Sequence, residues 1–250
     1  GSLQARRMSA IGIIPARYAS TRFPGKALAP LGGYPLVHHV YAAAMQAATL
    51  SQRIIATEST KVAGELAKIG DRVVLTSTDH RTGTDRVAEV ARQFKIDLVL
   101  NIQGDEPQLR PQLIDALVNF MYVHPQFRMG TIASTHLSAE DLGNPNVVKV
   151  VVSGENALAF YREAPDDLPA GETMRHLGLY AYRTDFLHQF ASHPQSEKEL
   201  EHGLEQLRAF DMGEKIGVLV TMVESQAVDT HDDLLKLAQN WSNPEWIEVA

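Results

Sequence analysis

The chain has no cysteine, which excludes disulfides, thiolate nucleophiles and cysteine-based zinc sites. It has no apolar run near the roughly 20 residues that a membrane-spanning helix needs. Basic residues are in deficit: 23 Lys and Arg stand against 30 Asp and Glu, a formal net charge of -7. That excess of acid argues against wholesale nucleic-acid binding, and any anion site must be built locally. The stretch Gly1 to Ser9 lacks the long apolar core of a signal peptide, and Gly1-Ser2 reads as the scar of a cleaved tag. The expected compartment is the cytoplasm. What remains is ordinary globular composition, 44% hydrophobic and 21% charged over 250 residues, enough for one large α/β domain or a domain with an embedded lobe.

Ile11 to Ala16 is a short apolar run, read as a buried strand. Pro35 to Ala48 has helical periodicity, Arg53 to Thr57 reads as a strand, and Thr60 to Ile69 as a helix stopped by Gly70. Strand Arg72 to Thr76, helix Thr84 to Phe94, strand Leu98 to Gln103 and helix Pro111 to Val123 follow. This alternation predicts right-handed βαβ units and a parallel sheet, with ligands beyond the carboxyl ends of the strands. The second half changes character. Met129 to Thr135, Val147 to Val152, Ala157 to Tyr161, Leu177 to Tyr182 and Ile216 to Val223 read as strands. Leu200 to Ala209 and His231 to Trp241 read as helices. We read this half as a mixed-sheet extension forming a second lobe.

The stretch IIPARYASTRFPGK, Ile13 to Lys26, is the most informative. Directly after the first strand it places Arg17, Arg22 and Lys26 among Ser20, Thr21 and Gly25. Backbone N–H groups and hydroxyls are short donors, and the three cations neutralise charge, so the loop suits a polyphosphate. It is neither a Walker loop nor a dinucleotide glycine fingerprint. The alternative is a solvated loop with scattered charges.

The sequence PARYASTRFPGKALAPLGGYPLVHHV resembles the signature loop of sugar nucleotidyltransferases, and within them the CMP-Kdo synthetases (3-deoxy-manno-octulosonate cytidylyltransferases). DHRTGTDRVAEV (79–90), NIQGDEP (101–107), NPNVVKVV (144–151), RHLGLYAYR (175–183), LEQLR (204–208) and VDTHDDL (228–234) follow in family order.

The resemblance implies a Rossmann-like, glycosyltransferase-A-like fold with a mixed, mainly parallel sheet. It implies a single nucleotidyltransferase domain over residues 9–250. Within it, 9–125 is the nucleotide-binding half, 126–228 a sugar-binding and dimerisation lobe, and 229–250 a metal-site segment with a helix. It further implies transfer of CMP from CTP to a Kdo-type sugar acid for lipopolysaccharide biosynthesis, a magnesium cofactor and a homodimer.

By the same resemblance, Arg17, Arg22 and Lys26 hold the CTP phosphates, with Ala16, Ser20 and Thr21 beside them. Asp105 and Asp229 form the metal pair. On local pattern alone Asp105 reads equally as a turn cap and Asp229 as a helix N-terminal carboxylate. Glu106 reads as a supporting acceptor or a cap. Thr76, Ser77 and Thr78 could bond a pyrimidine edge or form an ordinary loop. Arg86 could reach the nucleotide, brace the phosphate loop or be an exposed helical Arg. The sugar positions implied are Gln103 (also on the nucleotide side), Arg162, His176, Tyr180, Glu205 and Gln206. A carboxylate-bearing polyol needs such a mix of fork-like cation and neutral partners.

Two departures from the family pattern stand out. Tyr161 and Glu163 flank Arg162 in place of small residues, and the following basic pair is missing from FYREAPDDLPAG. A bulkier, more acidic lip would suit an 8-amino sugar. ATES, Ala56 to Ser59, lacks the Asp usual in relatives. A nucleotide-sugar glycosyltransferase and a non-catalytic nucleotide-binding protein are the competing classes. Pyrophosphate release from CTP separates the first from a cytidylyltransferase, and CTP protection without product would mark the second.

Overall fold

The structure is a computed structural model that describes residues 9–20 and 22–249. Its first half is a run of parallel strands and helices: β1 (Ala10–Pro15), a 3-10 turn (Lys26–Leu28), a small hairpin of β2 (Pro30–Leu31) and β3 (Tyr34–Pro35), α1 (Leu36–Met45), β4 (Leu50–Thr57), α2 (Thr60–Ala67), β5 (Val73–Leu75), α3 (Gly83–Ala91), β6 (Leu98–Ile102) and α4 (Pro111–Val123). The second half contains β7 (Met129–Ser134), α5 (Ala139–Gly143), β8 (Lys149–Ser153), β9 (Asn156–Tyr161), β10 (Glu172–Arg183), α6 (Thr184–Ser192), α7 (Glu197–His202), α8 (Leu207–Asp211), β11 (Ile216–Thr221) and α9 (His231–Ala238).

A single mixed sheet runs through both halves in the order β5-β4-β1-β6-β10-β7-β11-β9-β8. Strand β1 pairs in parallel with β4 on one side and β6 on the other. The chain therefore reverses its direction of travel across the sheet at β1, and the crevice beyond β1 and β6 is the switch point where such folds bind ligands. Ile14, Leu100 and Ile102 pack toward α1, α2 and α4 through Val37, Val40, Val62, Leu66, Ile114 and Leu117. Ile11, Ile13 and Val99 point the other way, onto α3 and α6 through Val87, Val90, Phe186 and Phe190. Both faces are covered, so these strands read as continuous apolar runs instead of alternating ones.

Strand β10 joins the halves. Its far end pairs antiparallel with β6 and its near end with β8, while β7 runs along it. It starts at Glu172, well before the predicted Leu177, because it pairs there with β8, a partner remote in sequence. The register on β7 slips between Leu177 and Tyr180. This bulge turns Gly178 toward the end of β6, where its carbonyl accepts the Gln103 N–H at 3.2 Å.

The helix predicted over Leu200 to Ala209 is two helices. Gly203 ends α7 in the left-handed region at φ 63°, which favours glycine, and Leu204, Glu205 and Gln206 form a turn before α8. The last helix stops at Ala238, three residues short of the prediction.

Candidate active site

A cavity of about 680 Å³ opens at the carboxyl ends of β1 and β6, within the range of small-molecule sites. Ala16, Arg17, Ser20 and Lys26 line it from the first loop. That loop is pinned: the Tyr18 N–H donates to Glu58 at 2.9 Å, and the Gly25 N–H to the Tyr18 carbonyl at 3.2 Å. Glu58 also faces Arg86 at 3.6 Å, which gives the acidic residue of ATES a bracing role. Arg22 does not line the cavity. Its guanidinium donates to Asn146 at 3.1 Å, and Asn146 belongs to the opposite wall. Thr21 lies outside the described residues.

The carboxylates meet across a long stretch of chain. Lys26 Nζ stands 3.2 Å from Asp105 Oδ2, while Asp105 Oδ1 is buried without a hydrogen-bond partner. The Val228 N–H donates to the Asp105 carbonyl at 2.8 Å, which ties the segment carrying Asp229 to the end of β6. Asp233 accepts the N–H groups of Asp229 and Thr230, each at 3.0 Å. Thr230 and Asp233 thus close a reciprocal capping box on α9, and the Asp229 side chain is left to the cavity. Burial first, and the Asp105 charge second, push the Asp229 carboxyl above its usual range. A divalent cation would relieve both the unpartnered oxygen and that repulsion. Among the described residues there is no cluster of three or more metal-ligating side chains. Two carboxylates with room for phosphate oxygens and water fit magnesium better than zinc or an all-protein calcium cage.

Glu106, next to Asp105 in the chain, is held by other partners. It is buried, accepts the Gly178 N–H at 2.6 Å and meets the Ser225 hydroxyl at 3.4 Å. Burial, then the neighbouring Asp105 charge, push its carboxyl up to about 8. It locks the β10 bulge to the metal-side loop. A Cβ at Gly178 would collide with the side-chain oxygens of Glu106 and Gln103. Gly178→Ala is therefore expected to lower kcat/KM about 100-fold, the scale of an ångström-sized misplacement. Steady-state kinetics within threefold of the parent would contradict that close packing.

The facing wall carries Arg162, Arg175, His176, Tyr180, Glu205 and Gln206. The Arg162 guanidinium donates to the carbonyls of His202, Pro145 and Gly203 at 3.2, 3.3 and 3.2 Å, clamping α7 to the β7–β8 connection. His176 Nε2 lies 2.9 Å from Thr131 Oγ1, whose hydroxyl reaches the Leu179 carbonyl at 2.8 Å. A carbonyl only accepts, so Thr131 donates there and His176 must be protonated at Nε2. Its ring packs edge-on to Phe160 at 5.0 Å. Burial lowers the imidazole from 6.5 to about 3. The unfolded chain then takes up the proton first as pH falls, so this stability is complete above 6.5 and drains away toward 3. The stability gap between the wild type and His176→Gln is expected to narrow by about 2 kcal/mol from pH 7 to pH 5. Urea melts giving a constant gap would rule this out.

Thr76 and Ser77 do not line the cavity. They hold Arg86, which donates to the Thr76 hydroxyl and to the Ser77 carbonyl, and Arg86 itself lines the cavity. Thr78 is also absent from the wall, as are Tyr161 and the exposed stretch from Glu163 to Gly171. The lip expected to reshape the sugar site therefore stands outside the cavity.

The family model described as "Cytidylyltransferase" matches residues 11–216. The chain belongs to that family. It is 43% identical to the 3-deoxy-manno-octulosonate cytidylyltransferase of Trichlorobacter lovleyi over 244 residues, covering 92% of this chain and 97% of the relative. It is equally identical to the one of Geobacter sulfurreducens over 247 residues, covering 93% and 99%. Among solved structures it is similar to a CMP:2-keto-3-deoxy-manno-octonic acid synthetase complexed with CTP. That likeness has TM-score 0.84 and 35% identity, covering 92% of this chain and 97% of that one. These matches bear out the α/β nucleotidyltransferase fold and place this cytidylyltransferase among the CMP-Kdo synthetases.

Sequence reading missed several lining residues: Thr82, Thr84, Asn101, Asn146, Arg175 and Ser225. All but Ser225 lie inside the blocks that carry the resemblance, and Asn101 carried a further signal of its own, a polar residue inside the apolar strand LVLNI.

Proposed function

We propose that this cytidylyltransferase transfers CMP from CTP to the anomeric C2 hydroxyl of 3-deoxy-manno-octulosonate, with magnesium held by Asp105 and Asp229. The product would feed lipopolysaccharide assembly. The observation that carries the reading is the convergence of Arg17, Lys26, Asp105 and Asp229 on one cavity whose other wall is polar and carries Arg162, Arg175 and Glu205 beside His176, Tyr180 and Gln206.

The hydroxyl oxygen bonds to the α-phosphorus, the bond from that phosphorus to the bridging oxygen breaks, and pyrophosphate leaves. Magnesium, when bound, neutralises phosphate charge and lowers the pKa of the attacking hydroxyl. Arg17 and Lys26 hold the departing side of the triphosphate, where negative charge accumulates. The hydroxyl proton passes to a carboxylate oxygen of the Asp105–Asp229 pair and on to water. Burial keeps the His176 imidazole neutral; with its Nε2–H given to Thr131, Nδ1 would accept a hydrogen bond from the sugar without adding charge. The polar wall orients the acid sugar for in-line attack.

Pyrophosphate release from CTP, with magnesium and a panel of 2-keto sugar acids, tests the reading. Turnover is expected with 3-deoxy-manno-octulosonate, and failure across the whole panel overturns it. A strong preference for the 8-amino sugar would shift the substrate and leave the chemistry. The homodimer rests on family resemblance, and sedimentation of the purified chain tests it; the cytoplasmic compartment is the expectation drawn from composition.

A further inference from the structure

Lys149, in the block NPNVVKVV, is fully buried where β8 begins. It pairs there with Tyr161 of β9 on one side and Arg175 of β10 on the other. An ammonium taken out of water is costly unless its donors are used. Lys149 Nζ donates to the Asn144 carbonyl at 2.7 Å and to the Arg162 carbonyl at 2.6 Å. Both oxygens only accept and they come from different segments, so a long side chain with several N–H groups is what bridges them. Burial lowers the Lys149 pKa; the charge of Asp141 opposes that fall, and those of Arg162 and Arg175 add to it.

Each carbonyl belongs to a piece of the facing wall. Asn144 opens a turn in which its side chain accepts the Asn146 N–H at 2.9 Å and its carbonyl also accepts the Val147 N–H at 3.0 Å. Asn146, Val147 and Val148 line the cavity, and the Val148 carbonyl accepts the His176 N–H at 2.9 Å. Arg162 also lines the cavity, and its guanidinium reaches Pro145 in the same turn and His202 and Gly203 at the end of α7. Lys149 itself does not line the cavity. It stands where the turn before β8 meets the end of β9, and through Arg162 it also sets the end of α7. The nucleotide side is held by other groups: Glu58 pins the first loop, and the Asp105 carbonyl holds the segment carrying Asp229. The Arg22–Asn146 bond between that side and this wall is exposed.

We propose that Lys149 is a positioning residue for the acid-sugar substrate, fixing the spacing of the facing wall through Arg162 and the 144–148 turn without touching either substrate. The proposal rests on the transferase reading given above.

The test is steady-state kinetics on Lys149→Met, which fills similar space with no donor. KM for 3-deoxy-manno-octulosonate is expected to rise roughly tenfold or more, as for a displaced positioning group, with KM for CTP unchanged within twofold. A general loss of structure would raise both. Lys149→Gln still reaches one carbonyl and guards against a folding failure; it should show the same split at smaller size. Because Lys149 acts through Arg162, Lys149→Met combined with Arg162→Met should lose less than the product of the two single losses. An unchanged KM for the sugar in either Lys149 variant, a KM for CTP that rises as much as that for the sugar, or fully multiplicative losses overturn the role. A wild type that releases no pyrophosphate with any sugar acid overturns the transferase reading instead, so the two failures are distinct.

Discussion

Asp105→Ala is expected to lower kcat by at least about 1,000-fold, the scale seen when a principal electrostatic stabiliser is lost, while the protein stays folded. The loss follows from geometry. Asp105 supplies a buried, unpartnered carboxylate oxygen beside Lys26, and Asp229 alone would leave one protein ligand for the cation. The intact fold follows from what the side chain does not do. Its backbone carbonyl, which holds Val228, is unaffected by the substitution. Its one ion pair, with Lys26, is partly exposed and contributes at most about 1 kcal/mol. Against that, the Asp105 charge pushes up the carboxyls of both Glu106 and Asp229. Removing it relieves two buried groups. The metal-free variant is therefore expected to melt at or above the wild-type temperature. CTP with magnesium should raise the melting temperature of the wild type and not of the variant. Turnover within tenfold of the parent would sink the metal assignment, and a large drop in the metal-free melting temperature would sink the repulsion argument.

Arg208→Met should be the most destabilising single change outside the hydrophobic core, costing about 3–5 kcal/mol. Arg208 is 1% exposed. Its guanidinium forks onto Glu199 at 2.7 and 2.9 Å, donates to the Phe190 carbonyl at 2.9 Å and stacks 4.5 Å from the Phe190 ring. Glu199 is itself 4% exposed and caps α7 by accepting the Ser196 N–H at 2.7 Å. Without Arg208 this carboxylate stays buried with no countercharge, and Glu205 loses the cation behind it. For a chain of this size the loss corresponds to a fall of roughly 6–20 °C in Tm. Adding Glu199→Gln keeps the cap, removes the stranded charge and should recover a measurable part of the loss. A single variant within 1 kcal/mol of the wild type would show that the pair is dispensable.

Legibility in the sequence followed the range of the interaction. Helix α4 was readable to the residue, because Pro111 starts it and its apolar periodicity is local. The buried strands β1, β4 and β6 were readable as apolar runs. The division of 197–211 was not, since leucines on both sides of Gly203 keep a helical rhythm while the glycine turns the chain. Polar loops were the least readable. Thr76 and Ser77 have the chemistry to read a base, yet the neighbouring helix α3 points Arg86 at them and occupies them. Arg22 and Arg162 have the charge to bind anions, but each is held by groups from another element.

The sequence by itself determined the local chemistry: a basic hydroxyl-bearing loop after one strand, an acidic turn after another, and a parallel α/β order that puts both on one rim. Those features depend on residues adjacent in the chain, where composition and spacing act directly. Only the tertiary structure decided which groups face each other. It brought Asp229 to Asp105 through a backbone bond spanning the lobe, and the carbonyls of Asn144 and Arg162 to the one side chain of Lys149. Such pairings are set by strand order and by how one bulge in β10 seats against β6, and no local pattern encodes them.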